Sequence, residues 1–257
     1  MSAAQAILGK HALVTGGGSG VGKAIALALA EAGVAVTICG RREAALTEVA
    51  KENGRIFAIA ADVTDEAEMA ALYEKAEAVR GPFDIVVANA GMAGSAPAHK
   101  TTLADWQRTL DVNLTGAFLT VKPALAGMLA RKVGRIVFVA STAGLKGYAY
   151  VAPYVAAKHG VVGLTRALAA ETAKSGVTVN AVCPGFVETE MLEESVQRIV
   201  EKTGRSADEA RANLAATNPQ GRFVQPEEVA SAVLWLCSDA ARSITGQAIS
   251  VSGGETW

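Results

Sequence analysis

The chain holds little that would staple it, anchor it or charge it strongly. Its 257 residues include only three cysteines, Cys39, Cys183 and Cys237, far apart and without CxxC spacing. That excludes a disulfide framework or thiolate metal site and fits buried thiols in a reducing cytoplasm. A dominant charge is missing too. Lys and Arg number 24 against 25 Asp and Glu, the net charge is -1, and no basic block offers itself to nucleic acid. The first ten residues lack a charged segment leading into a long apolar one, so no export signal is expected. The most apolar stretch, 24–39, is broken by Glu31 and Gly33, so no membrane span is expected either. Internal repeats, low-complexity tracts and an interdomain linker are absent. His11, His99 and His159 stand in no partner pattern, so neither a catalytic histidine nor a metal site is expected.

What is present is apolar and alternating. With 51% hydrophobic side chains, the chain can bury one large core, and single α/β domains often reach this length. Strand-like runs at 11–15, 34–39, 55–60, 83–88, 135–140, 177–183 and 248–251 alternate with helical patterns. The helices are read at 20–32, 43–51, 65–79, 103–129, 153–174 and 226–236. Runs of Val, Ile and Ala without polar alternation suit parallel strands covered on both faces. The expected fold class is α/β: a Rossmann-like, doubly wound sheet of seven parallel strands flanked by helices. One domain, 1–257, is expected, with a substrate lid at about 186–218.

Two motifs carry chemistry. The first strand-to-helix turn holds Gly16, Gly18, Ser19, Gly20, Val21 and Gly22. Glycines there let the backbone approach a pyrophosphate, and the following helix presents free N–H groups and a positive dipole end. A lone glycine pattern is weak, but this one opens a βαβ unit, which favours a dinucleotide. The second motif is Tyr154 and Lys158, which stand on one face of a helix. A neighbouring ammonium is expected to lower the phenol's pKa and make it a usable acid or base. A packed tyrosine beside a solvated lysine is the alternative for the pair alone.

With Gly16, Gly20 and Gly22 following TGxxxGxG, the chain resembles the short-chain dehydrogenase/reductase family from Thr15 to Gly254. Asp62-Val63, Asn89-Ala90-Gly91, Asn113, Ser141, Tyr154, Lys158, Pro184-Gly185 and Thr189 fall in the family's order. Ala88 departs from it, because many members carry a second Asn before Asn89. The resemblance implies four catalytic residues. Tyr154 acts as general acid or base, and Ser141 hydrogen-bonds the substrate oxygen. Lys158 lowers the tyrosine pKa and holds the nicotinamide ribose, while Asn113 fixes a relay water. It also implies cofactor contacts at the glycine turn, Asp62, Val63, Asn89, Ala90, Gly91, Pro184, Gly185, Val187 and Thr189, with Tyr154 and Lys158 themselves.

Where NAD-preferring relatives carry an acid near the end of the second strand, this chain has Gly40 followed by Arg41 and Arg42. A guanidinium can take the 2′-phosphate, so NADP(H) is favoured and NAD(H) kept open. The substrate pocket is read at Met92, Ser141, Leu145, Phe186 and Met191, with Leu192 nearby. Segments at 180–189 and 222–229 are similar to aromatic-polyketide ketoreductases and 3-oxoacyl reductases, although the Pro-Gly-Gly of the former is missing after Gly91. The expected activity is NADPH-dependent reduction of a ketone or 3-oxoacyl thioester. The alternatives are an NAD-dependent dehydrogenase of a secondary alcohol or hydroxyacyl-CoA, and an inactive dinucleotide-binding scaffold. Arg131, Lys132 and Lys174 are read either as contacts for an acyl-carrier or coenzyme A phosphate or as solvated helix ends. The resemblance further implies a homotetramer.

Overall fold

The computed structural model describes Ile7 and residues 9–256. Its strands are β1 (His11–Thr15), β2 (Ala35–Gly40), β3 (Ile56–Ala60), β4 (Ile85–Ala88), β5 (Gly134–Val139), β6 (Val177–Pro184) and β7 (Ala248–Val251). The helices in chain order are α1 (Gly20–Glu31), α2 (Glu43–Glu52), α3 (Glu66–Arg80), α4 (Leu103–Leu110) and α5 (Gly116–Arg131). They continue with α6 (Ala152–Thr172), α7 (Glu190–Thr203), α8 (Ala207–Ala215) and α9 (Pro226–Cys237).

The strands form one sheet in the order β3-β2-β1-β4-β5-β6-β7, and every neighbouring pair is parallel. Their composition explains this. Every residue of β1, β4, β5 and β6 is buried, as continuous Val, Ile and Ala runs require when helices cover both faces. Alternate side chains feed opposite layers. Leu13 joins a core built with Met69, Leu72, Val121, Met128 and Val161 from α3, α5 and α6. Val14 joins the core built with Ile25, Leu29, Leu46, Val229 and Val233 from α1, α2 and α9. The strand order reverses between β1 and β4, so a crevice opens at their carboxyl ends.

The helical pattern at 103–129 is interrupted by one π-turn, Asp111–Thr115, between α4 and α5. The amide of Gly116 bonds back to the Asp111 carbonyl, five residues earlier. The turn places Asn113 fully inside, which a regular 3.6-residue repeat does not indicate. At 29 residues the stretch Leu103–Arg131 is also long and apolar enough, by length and composition alone, to cross a membrane. Reading 24–39 as the most apolar stretch overlooked it. Val121, Ala124 and Met128 pack its inner side onto the sheet, and a core helix passes the same length test.

Phe138, fully buried in β5, tests this packing. Phe138→Ala is expected to cost about 3–5 kcal/mol in urea denaturation, whereas Leu103→Ala, at 79% exposure, should stay within about 0.5 kcal/mol of wild type.

Candidate active site

The crevice is knotted together by Thr15, the last residue of β1. Its hydroxyl accepts the backbone N–H groups of Asn89 and Ala90, both at 3.0 Å. Asn89 answers by donating its side-chain amide to the Thr15 carbonyl at 2.9 Å. The glycine turn between β1 and α1 is therefore bound to the end of β4. A Cβ at Gly22 would overlap the Gly16 carbonyl oxygen, so α1 can dock this closely only with glycine there. Gly18 lies against Ala45 and Leu46, and half-buried Val21 packs on the outer core. Ser19 is the N-cap of α1 but makes no side-chain cap bond, which leaves the first N–H groups of the helix for an anion. This backbone fits a dinucleotide pyrophosphate.

At the ends of β2 and β3, Arg41, Ala60, Ala61, Asp62 and Glu68 line a cavity of about 310 Å³. Asp62 Oδ1 accepts from the backbone and hydroxyl of Thr64 at 2.9 and 2.8 Å. The Thr64 backbone bond is the main reason that its carboxyl titrates below the usual range. The two arginines part company. Arg41 faces the cavity, while Arg42 donates to Ser19 Oγ at 3.0 Å and pairs with Glu190 at 3.5 Å. Glu68 is a cavity residue that the motif reading missed, and it accepts the Asp62 N–H at 2.7 Å. The signal was the Asp65-x-x-Glu68 spacing at a helix start. Val63 is buried and packs under Gly116.

Ser141, Tyr154 and Lys158 converge at the end of β5 and the start of α6. Ser141 caps a 3₁₀ turn, Thr142–Gly144, accepting the Ala143 N–H at 3.1 Å. Lys158 is buried, donates to the Val139 carbonyl at 2.9 Å and lies 5.6 Å from the centroid of the Tyr154 ring. Burial pushes its ammonium down to about 8. Burial also raises the Tyr154 phenol; a hydrogen bond from Ser141 opposes this, and Cys183 adds to it. The ammonium lies over the ring and donates to the Val139 carbonyl, and burial outweighs the neighbours that favour the phenolate. Asn113 donates to the carbonyls of Met92 and Thr109, each at 2.9 Å, and accepts the Met92 N–H at 3.2 Å. Its amide thus clamps the 92–98 loop, with Oδ1 facing Gly91.

A sequence profile described as short chain dehydrogenase matches residues 10–199. The chain belongs to that family. It is 43% identical over 249 residues to a Streptomyces violaceoruber protein ascribed as ketoacyl reductase 1 of the granaticin polyketide synthase, covering 95% of this chain and 92% of the relative. It is 39% identical over 251 residues to the D-beta-hydroxybutyrate dehydrogenase of Cupriavidus necator, covering 96% and 97%. Among solved structures, a single-substitution variant of an actinorhodin polyketide ketoreductase with NADPH superposes with a TM-score of 0.93. The identity is 41%, over 96% of this chain and 97% of that one. The chain is an NAD(P)-dependent oxidoreductase acting on CH–OH and C=O groups.

In this short-chain dehydrogenase the remaining predicted residues follow β6. Pro184 ends the strand buried, and the Gly185 N–H donates to the Val251 carbonyl at 3.1 Å. Val187 bridges to Val224, and Thr189 brings its methyl against Gly20 as α7 begins. Of the pocket residues, Leu145 packs onto the core, the Phe186 carbonyl accepts the Val224 N–H at 2.9 Å, and Met191 is 40% exposed. Two aromatic residues between Ser141 and Tyr154 were missed. Tyr150 is 64% exposed, has a left-handed φ of 68° and accepts the Ala96 N–H at 2.8 Å. Tyr148 bonds to Thr142 at 2.6 Å and to Glu255. Neither belongs to a recognisable motif.

Between about pH 8 and the ordinary lysine value of 10.5, the unfolded enzyme holds a proton on Lys158 that the folded enzyme has lost. Stability should therefore rise with pH across that window. Lys158→Met is expected to be more stable than wild type at pH 7, by on the order of 3 kcal/mol. The gap should narrow as pH passes 8, and urea denaturation at pH 7 and pH 10 measures it. A variant no more stable than wild type at pH 7 would contradict the buried-charge account.

Proposed function

We propose that the chain uses NADP(H) to reduce a ketone or a 3-oxoacyl thioester to a secondary alcohol. The observation that carries this is the meeting of the Ser141 hydroxyl, the Tyr154 phenol and the buried Lys158 ammonium beside the crevice. The bound nicotinamide supplies the hydride. Ser141 holds the carbonyl oxygen and stabilises charge growing on it. Tyr154 gives that oxygen its proton, and Lys158 holds the cofactor ribose and returns a proton to the phenolate. Asn113 aligns the Met92 backbone at the mouth of the site and offers its remaining Oδ1 lone pair to a relay water.

The glycine turn, with Ser19 and Val21, takes the pyrophosphate. Asp62 and Val63 take the adenine, and Asn89, Ala90 and Gly91 line the ribose side. Pro184, Gly185, Val187 and Thr189 flank the nicotinamide. Arg41 supports the preference for NADP(H), because it lines the open cavity at the end of β2 while Gly40 offers no carboxylate to repel a phosphate. Arg42 is already engaged by Ser19 and Glu190. Residues 186–218 act as the lid of one catalytic domain, pinned by Lys202 to the Ser95 carbonyl at 2.8 Å. Met92, Phe186 and Met191 form the apolar side of the pocket. Cytoplasmic residence is supported by three free, buried cysteines. A homotetramer is supported by Phe118 and Leu129, each 40% exposed and three turns apart on one face of α5.

Tyr154→Phe is expected to lower turnover of an acetoacetyl thioester by about 10²–10⁴-fold while NADPH binding persists. Turnover within a few-fold of wild type would remove Tyr154 from proton transfer. In a fluorescence titration, Arg41→Ala should weaken NADPH binding by about 10- to 100-fold and leave NADH binding unchanged. Equal binding of both cofactors before and after the substitution would overturn the phosphate assignment.

A further inference from the structure

Glu255 is a buried carboxylate beside the catalytic loop that the reaction outlined above does not use. Its side chain is 1% exposed. Oε1 accepts from the hydroxyl of Tyr148 and from Lys146 Nζ at 3.0 Å. The Tyr148 proton is committed to Glu255, so Thr142 donates its hydroxyl proton to Tyr148, at 2.6 Å. Lys146 also lies over the Tyr148 ring, 5.0 Å from its centroid. Thr142 is buried and follows Ser141 directly, and its 3₁₀ turn is pressed against α6. A Cβ on Gly144 would come within 2.7 Å of the Lys158 carbonyl oxygen. One chain of contacts therefore runs from Glu255 through Tyr148 and Thr142 to Ser141.

The backbone is shaped to deliver this side chain. Gly253 and Gly254 follow β7 with φ of 62° and 94°, a consecutive left-handed pair that folds the chain back toward the site. Gly253 packs so tightly on Asn218, at the base of the 186–218 segment, that any side chain there would collide with it. Ser250 Oγ bonds Ser252 and Thr256 at 2.7 and 2.6 Å, which holds the turn on both sides of Glu255. A buried carboxylate serving stability alone would have both oxygens bonded. Here Oε2 has no hydrogen-bond partner among the described residues and faces the Gly185 backbone. The sequence pattern, which runs to Gly254, gives no hint of this contact, which joins residues 107 positions apart.

We infer that Glu255 is a positioning residue for Ser141, acting through Tyr148 and Thr142; the inference rests on the reading of Ser141 as the hydroxyl that holds the substrate oxygen. Without the carboxylate, Tyr148 loses its acceptor and Lys146 its ion pair, so the 146–150 part of the loop loses its side-chain tie to the 250–256 turn. The Ser141 hydroxyl then points at the reacting oxygen for a smaller share of the time. Binding of the pyrophosphate and adenine, which uses the β1–β3 side of the crevice, is unaffected, so NADPH affinity is kept.

The test uses the full chain with Glu255→Gln, Tyr148→Phe and the double variant, alongside wild type and Tyr154→Phe, with an acetoacetyl thioester and NADPH. Each single variant is expected to lower kcat by about 10- to 100-fold, with substrate KM and NADPH Kd held within about threefold. The double variant should be no slower than the slower single, because both act through one link. In the cofactor-free protein, hydrogen exchange over 141–150 should accelerate in both singles while α9 stays protected. Tyr148→Phe keeps the ring and its contact with Lys146, so it remains informative if Glu255→Gln folds poorly. Unchanged exchange over 141–150 in both singles overturns the inference whatever the activity. So does an unchanged kcat beside a wild type that turns over and a Tyr154→Phe that does not, or a double variant whose losses multiply. A wild type without turnover sinks the proposed activity instead, and the exchange result still decides whether Glu255 holds the loop.

Discussion

The active site depends first on the Thr15 hydroxyl, which holds the glycine turn to the end of β4. Two strands adjacent in the sheet but distant in sequence are joined there by three hydrogen bonds of 2.9–3.0 Å involving Thr15 and the 89–90 backbone and side chain. Parallel pairing of β1 with both β2 and β4 makes the knot possible, because all three strands end on the same edge. The reversal of strand order at that point keeps crossover helices from covering the crevice. A turn free to shift by an ångström would no longer aim the N–H groups of α1 at one place.

Charge burial is the second constraint. Lys158 is withdrawn from water with one carbonyl as its protein partner, and the Tyr154 phenol is held above its ordinary pKa by the same surroundings. Both groups are less comfortable than they would be in solvent, and the sheet tolerates this because its two apolar layers are extensive. A site stabilised at the expense of the fold is common where proton transfer needs groups near neutrality. Burial takes Lys158 from 10.5 down to about 8 and Tyr154 up from 10.0, so the two values move apart and the phenol holds its proton more firmly than the ammonium does.

The loops that close the site are connected through their backbones. Asn113 grips Met92, Tyr150 holds Ala96, and Lys202 reaches Ser95. The 92–98 segment is thus fastened to the π-turn, to the catalytic loop and to α7. Arg42 links the glycine turn to Glu190 at the start of α7. The segment from 186 to 218 is joined to these loops by exposed polar contacts, each weak alone, while its own Leu192, Val196 and Ala210 are buried.

Much of this was legible in the chain itself. Unbroken Val, Ile and Ala runs alternating with amphipathic helices determined a parallel, doubly wound sheet, because only covered strands tolerate that composition. The glycine spacing after the first strand and the one-turn spacing of Tyr154 and Lys158 marked the candidate places for a dinucleotide and a proton donor, since both patterns are local. What lay beyond reach was every feature set by partners distant in sequence. The parting of Arg41 from Arg42, the π-turn that buries Asn113, and the engagement of Glu255 have no periodic signature. The direction of the Lys158 ammonium belongs with them, because a lysine's donor reach is decided by whichever carbonyl the tertiary packing brings near. Spacing along a helix shows that two side chains share a face. Only the folded structure decides whether a charge on one reaches the hydroxyl of the other or, as here, settles beside its ring.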